Sequence, residues 1–192
     1  MDVNEPYIKI QNFSFSLPLL NGSYKNILKN LNLNINKAER VGIIGKNGSG
    51  KTTFLRCLAG IYRPTNGRII VSGKINTLFN VGVGIFPDQT GLENIHLRAM
   101  MEGLTKNERD LYISNVLEFV ELGNSIYEPV KTYSAGMSMR LKFATSIFLD
   151  TNILLMDEWV GVGDKNFREN AKKSLLNFIT KSGIFLIATH NE

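Results

Sequence analysis

Apolar positions recur with period two near the start of the chain, in "YIKIQNFSFSL" and again in "NILKNLNLNINK", with the turn-rich "PLLNGSYK" between them. Successive side chains of a strand point to opposite faces, so this alternation predicts two half-buried strands forming an N-terminal antiparallel β piece. The pattern then changes. "RVGIIG" is a short apolar run closed by glycine, and it leads through "KNGSGK" into "TTFLRCLAGIY", whose apolar residues have helical spacing. "GRIIVSG" reads as a further strand element bounded by glycines.

From Leu92 to Leu149 the spacing is helical, beginning with "LENIHLRAMMEGL". In "TKNERDLYISNVLEFVEL", Thr105 and Glu108 have capping-box spacing, and Ile113, Val116, Leu117 and Val120 share one face. "YSAGMSMRLKFATS" places a Ser-Ala-Gly turn directly before an amphipathic helix. This block is a candidate helical sub-domain. Beyond it, "NILLMDE" and "GIFLIATH" read as buried strands separated by the helix "NFRENAKKSLLNFIT". Strands that are apolar on both faces and alternate with helices argue for an α/β core with a mainly parallel sheet.

Composition narrows this only slightly. The 192 residues are 43% hydrophobic and 20% charged, enough for one compact domain with a sub-domain inserted. No apolar run approaches the roughly 18 residues that span a bilayer, and "MDVNEPYIKI" lacks a basic region followed by an apolar stretch, so a cytosolic location is expected. One cysteine, Cys57, excludes a disulfide within the chain and any multi-cysteine metal site. The net charge of +5 is dispersed, and its charge runs "KNERD" and "RENAKK" are mixed in sign. It reads as a solvated surface, and no nucleic-acid partner is expected.

The chemistry begins at "GKNGSGKT". Gly45, Lys46, Asn47, Gly48, Ser49, Gly50, Lys51 and Thr52 fit the phosphate-loop pattern, in which glycines let the backbone wrap phosphates. Lys51 would reach the β- and γ-phosphate oxygens and the Thr52 hydroxyl would ligate Mg²⁺, with Thr53 completing the candidate nucleotide site. Asp157 ends an apolar strand, where it can hold Mg²⁺ through a water or through Thr52. Glu158 is the next residue, placed to orient a water for attack on the γ-phosphate. His190 ends the last strand and reaches the same sheet edge if the strands are parallel. It is either a γ-phosphate sensor or a structural or exposed histidine, and His96 receives only the second reading. The Ser-Ala-Gly turn is a natural anion site, yet its anion has to come from elsewhere.

Phosphate loop, Ser-Ala-Gly turn, Asp-Glu strand and terminal histidine, in that order, resemble the nucleotide-binding domain of an ABC transporter over nearly the whole chain. The resemblance implies a P-loop NTPase core in a single domain, residues 1–192, with the helical sub-domain at 92–149. "YSAGMSMR" is similar to the family's signature motif, with Tyr133, Ala135 and Met137 in place of its usual first, third and fifth residues and Ser134 and Gly136 kept. It implies that Ser134 and Gly136 act in trans, capping ATP held by a second copy, so that a homodimer encloses ATP at its interface. Arg140 is then a helix-packing or signature support. "VGVGD", Val160 to Asp164, matches the loop after the catalytic glutamate.

The adenine-stacking aromatic aligns with Leu17, with Phe15 and Tyr24 as substitutes, and the usual glutamine aligns near Asn80 to Gly82, with Gln89 a nearby Mg²⁺-ligand candidate. "VGVGIFPDQTGLENI", the tyrosine-led turn and Trp159 in "DEWVGVGDKNF" resemble exporters of O-antigen, capsule or teichoic acid. The implied protein is an ATPase using ATP and Mg²⁺. It drives a transmembrane permease subunit and sits peripherally at the cytoplasmic face of the cell membrane. Another cargo, or a non-transport ABC role on DNA or ribosomes, stays open. The chain ends two residues after His190, and a C-terminally truncated domain is expected.

Overall fold

A computed structural model describes residues 7–79, 82, 84–158 and 165–190. Trp159, Val160 to Asp164, Asn80 and Val81 lie outside the described residues, and so do the expectations attached to them. The chain divides into two compact units, Met1–Phe79 with Asp150–Trp159 and Ile179–Glu192, and Asn80–Leu149 with Val160–Phe178.

In the first unit, β1 (Tyr7–Pro18) pairs antiparallel with both β2 (Tyr24–Ile35) and β4 (Asn66–Ser72), giving a three-stranded sheet ordered β2-β1-β4. The alternation of β1 changes phase in its middle. Ile8 and Ile10 are buried, and so are Phe13 and Phe15, although the two pairs differ in parity. A register shift between Ile10 and Phe13, with Asn12 at φ 48, inserts the extra residue that keeps all four on one face. Gly67 on β4 lies against this bulge with φ 75, and a Cβ there would collide with the Asn12 carbonyl.

The second sheet is parallel, ordered β3-β7-β6-β5 from β3 (Arg40–Ile44), β5 (Ile75–Thr77), β6 (Ile153–Asp157) and β7 (Ile184–Thr189). Ile153, Leu154, Leu155 and Met156 are all buried, as expected of a central parallel strand covered on both faces. Helix α1 (Lys51–Leu58) contributes Phe54, Leu55, Cys57 and Leu58 to one core with Ile8, Phe13, Leu155 and Leu186, so residues of both sheets pack around it. Arg40 ties the start of β3 to the turn before β7, donating to the Ser182 and Gly183 carbonyls at 2.9 and 3.3 Å.

The second unit holds α2 (Gly91–Met101), α3 (Lys106–Val120) and α4 (Ala135–Ile147), with short 3-10 turns at Gly123–Tyr127 and Val130–Thr132. The helix α5 (Lys165–Lys181) begins in this unit and ends in the first. Val116 and Val120 are buried as the spacing predicts, Ile113 and Leu117 pack partly buried beside them, and Tyr112 joins the same face. The Tyr112 hydroxyl donates to the Thr145 carbonyl at 2.9 Å, so a buried polar tip is satisfied across α3 and α4. The Glu108 carboxylate accepts from the Thr105 N–H at 2.8 Å and from its hydroxyl at 2.6 Å, the predicted cap. Arg140 sits 4.7 Å from the Phe167 ring centroid, a helix-packing contact of the kind expected for it.

Candidate active site

The parallel register sets the site. Ile43 pairs with Ala188, which pairs with Asp157, so β3, β7 and β6 end level with one another. The residues just beyond each strand therefore meet at one carboxyl edge, where open α/β sheets bind ligands. After β3 comes the Gly45 to Thr52 loop, after β6 comes Glu158, and after β7 comes His190.

The loop is closed by its own lysine. Lys51, with 9% of its surface exposed, donates from Nζ to the Gly45 carbonyl at 2.6 Å and to the Lys46 carbonyl at 3.2 Å. Its ammonium thus stands inside the loop, where a phosphate would exchange carbonyl contacts for charge-assisted ones. Gly50 caps α1 with φ 95, and a Cβ there would lie 2.9 Å from the Ile27 side chain, so only glycine fits without strain. α1 has no acidic residue in its first turn, and the first backbone N–H groups of a helix lack intrahelical partners. Together these features suit the loop to an anion.

Asp157 is the last residue of β6 and Glu158 the next, held at φ 55 with its N–H donating to the Ala188 carbonyl at 2.9 Å. That left-handed turn redirects the chain so that the two acids do not simply alternate across the strand. The Glu158 Oε1 lies 2.8 Å from His190 Nδ1, and both side chains are about half exposed. An ionised carboxylate only accepts, so Nδ1 is the donor and Nε2 is the free nitrogen. The sequence placed both residues at one edge, and their direct contact is the added finding.

Thr52 and Asp157 are hard oxygen donors, one on α1 and one at the end of β6. No cluster of three or more His, Cys, Asp or Glu able to hold a metal occurs among the described residues. Two such oxygens are of the kind Mg²⁺ accepts, an ion that keeps several waters and takes further oxygens from substrate phosphates.

Ser134 and Gly136 lie in the second unit, exposed at the start of α4, with the Ser134 hydroxyl accepting from the Met137 N–H at 3.2 Å. This helix also lacks an acid in its first turn. Gln89 is exposed in the segment before α2, in the second unit, whereas Thr52 and Asp157 belong to the first. Of the adenine-stacking candidates, Phe15 is consumed by the core, 6% exposed and stacked on Tyr62 at 5.4 Å. Tyr24, on β2, is 68% exposed and pairs with Pro18, next to Leu17. His96 is exposed on α2, as expected. No helix among the described residues is long and apolar enough to cross a membrane.

Residues 28–161 match the sequence model of the family described as ABC transporter. The chain is 41% identical over 163 residues to the O-antigen export system ATP-binding protein RfbB of Myxococcus xanthus, covering 85% of this chain and 37% of that protein. It is 42% identical over 164 residues to the O-antigen export system ATP-binding protein RfbE of Yersinia enterocolitica, covering 85% and 69%. It is 34% identical over 188 residues to the teichoic acids export ATP-binding protein TagH of Bacillus anthracis, covering 98% and 34%. The chain therefore spans little more than a third of the first and third of these relatives. Among solved structures, the dimeric structure of MJ0796, a bacterial ABC transporter cassette, superposes with a TM-score of 0.73 at 26% identity, covering 96% of this chain and 88% of that one. The chain belongs to the ABC transporter family.

Proposed function

We propose that the chain is the ATP-hydrolysing subunit of an exporter of lipid-linked polysaccharide, working as a homodimer beneath a separate membrane permease. The observation that carries the catalytic part is the 2.8 Å contact between Glu158 and His190 at the sheet edge shared with the phosphate loop. The cargo rests on the names of the relatives, O-antigen and teichoic acid exporters.

In this reading the loop Gly45 to Thr52 wraps the phosphates of ATP, and Lys51 turns from its carbonyl contacts toward the β- and γ-phosphate oxygens. Thr52 and Asp157 would hold Mg²⁺, and the ion would neutralise phosphate charge there. Glu158 accepts the proton of the attacking water. His190 holds Glu158 in place through Nδ1. In its charged form it also donates from Nε2 to the γ-phosphate, since a doubly protonated imidazole donates from both nitrogens. Tyr24, exposed near the Ile27 that packs on Gly50, is the base-stacking side chain. Ser134 and Gly136 close over the ATP of the partner copy, so ATP holds two copies together and hydrolysis releases them.

Phosphate release from Mg-ATP tests the chemistry. Glu158→Gln should keep nucleotide binding and lose about a hundredfold or more of turnover, and normal turnover would sink the assignment. Depleting the protein in its cell should leave lipid-linked polysaccharide accumulated inside. Unchanged surface polysaccharide would remove the cargo from the proposal.

A further inference from the structure

The segment before α2 and the segment before α4 are fastened together within the second unit. The Val130 N–H donates to the Gln89 carbonyl at 2.9 Å, the Lys131 N–H donates to the Pro87 carbonyl at 2.8 Å, and Thr90 bridges Pro129 in antiparallel fashion. Asn94, fully buried on α2, holds the first segment from behind. Its Oδ1 accepts from the Phe86 N–H at 2.7 Å, and its Nδ2 donates to the Phe86 and Thr90 carbonyls at 3.0 and 2.9 Å.

Tyr133 completes the clasp. Its hydroxyl donates to the Ser125 carbonyl at 2.8 Å and stands against the first residue of α2, where a Cβ on Gly91 would collide with it. Burial pushes the phenol up from its ordinary value, so it stays a protonated donor at neutral pH. Tyr133 is also the residue immediately before Ser134, and its own N–H donates to the Val130 carbonyl at 3.0 Å. A side chain bonded to one element and a backbone bonded to another fix the entry to the turn.

We infer that Tyr133 is a positioning residue. Its hydroxyl locks the Ser134–Gly136 turn to the 3-10 turn at Ser125, against the first residue of α2, so that the turn is ordered before it meets ATP on a second copy. The inference rests on the composite site proposed above. An ordered turn loses less freedom on closing than a loose one. The clasp also joins Gln89 to the turn through the Val130 N–H and the short chain from Val130 to Ser134, so displacement of one segment moves the other.

The test compares Glu158→Gln with Glu158→Gln/Tyr133→Phe and Glu158→Gln/Gly91→Ala. Amide hydrogen exchange of the peptide covering Ser134 to Met137 is read without nucleotide, and the ATP concentration that gives half dimer is read by light scattering. Both added changes should speed exchange at the turn and leave the β6 and β7 amides unchanged. Each should raise the half-dimer ATP concentration about tenfold, since losing one hydrogen bond in each of two turns weakens closure twice. Combining Tyr133→Phe with Gly91→Ala should cost less than the sum, because the oxygen that the new methyl strikes is gone. Unchanged exchange overturns the lock, and faster exchange with an unmoved midpoint overturns its role in closure. A Glu158→Gln parent that stays monomeric in ATP overturns the composite site itself, while the exchange comparison still decides the lock.

Discussion

His190 Nδ1 lies 2.8 Å from Glu158 Oε1, joining two residues 32 positions apart at the ends of neighbouring parallel strands. The pair is the mechanical consequence of register, because Asp157 faces Ala188 and each strand needs only one or two further residues to meet. His190→Ala should therefore act through Glu158. We expect kcat to fall between about tenfold and a hundredfold, and ATP affinity to fall by about tenfold or less through the lost Nε2 contact with the γ-phosphate. Steady-state phosphate release and calorimetric ATP titration separate the two quantities.

Lys51 makes the other decisive contact, at 2.6 Å to the Gly45 carbonyl. Lys51→Ala removes a charge-assisted donor from inside the loop and should weaken ATP binding about tenfold to a hundredfold. Gly50→Ala should act differently. Its φ of 95 and the Ile27 side chain 2.9 Å from the new Cβ put strain into the loop itself, so stability should fall by about 1–3 kcal/mol along with affinity. Denaturant unfolding and calorimetry on both variants check the distinction.

Cys57 provides a pH prediction. Burial pushes its thiol from 9.0 to about 11, so the folded state favours the protonated form. A raised folded value means that this contribution to stability is complete below pH 9 and is lost as pH rises through about 11. Tyr112, raised also by burial first, acts with the same sign at higher pH. Denaturant midpoints should decline over that window, and Cys57→Ala should flatten the decline. At pH 8 a thiol reagent should modify native Cys57 only as fast as the fold opens.

Asn94 governs a prediction about the second unit. Truncation to alanine takes their buried partner from the Phe86 N–H and three carbonyls, and should cost about 2 kcal/mol. Asn94→Asp, which keeps the acceptor but sets a carboxylate oxygen against the carbonyls that Nδ2 served, should cost at least as much as Asn94→Ala. Thermal unfolding measures both.

Local features were the ones legible in the sequence. The phosphate loop, the Thr105 cap and the apolar run of β6 are each specified by residues within one turn or one strand, so their chemistry names them. The antiparallel alternation was visible too, but the extra residue at Asn12 that keeps Ile8, Ile10, Phe13 and Phe15 on one face was not. Three-residue β5 is too short to show a period. Asn94 looks like any polar helix residue until its partners four to eight positions earlier fold back onto it. The contact of Tyr133 with Ser125 and that of Glu158 with His190 depend on pairing between segments, which no single segment encodes. The same limit explains Phe15, whose aromatic ring fitted base stacking by type and proved to be core by position.

The proposed mechanism stands on ATP being enclosed between two copies, the loop Gly45 to Thr52 of one facing the Ser134 to Gly136 turn of the other. The solution mass of Glu158→Gln by light scattering, with and without Mg-ATP, beside Glu158→Gln/Ser134→Arg, measures that enclosure. A composite site predicts a dimer that needs ATP and disappears when arginine blocks the turn. A monomer under every condition, or a dimer indifferent to both ATP and Ser134→Arg, would contradict it.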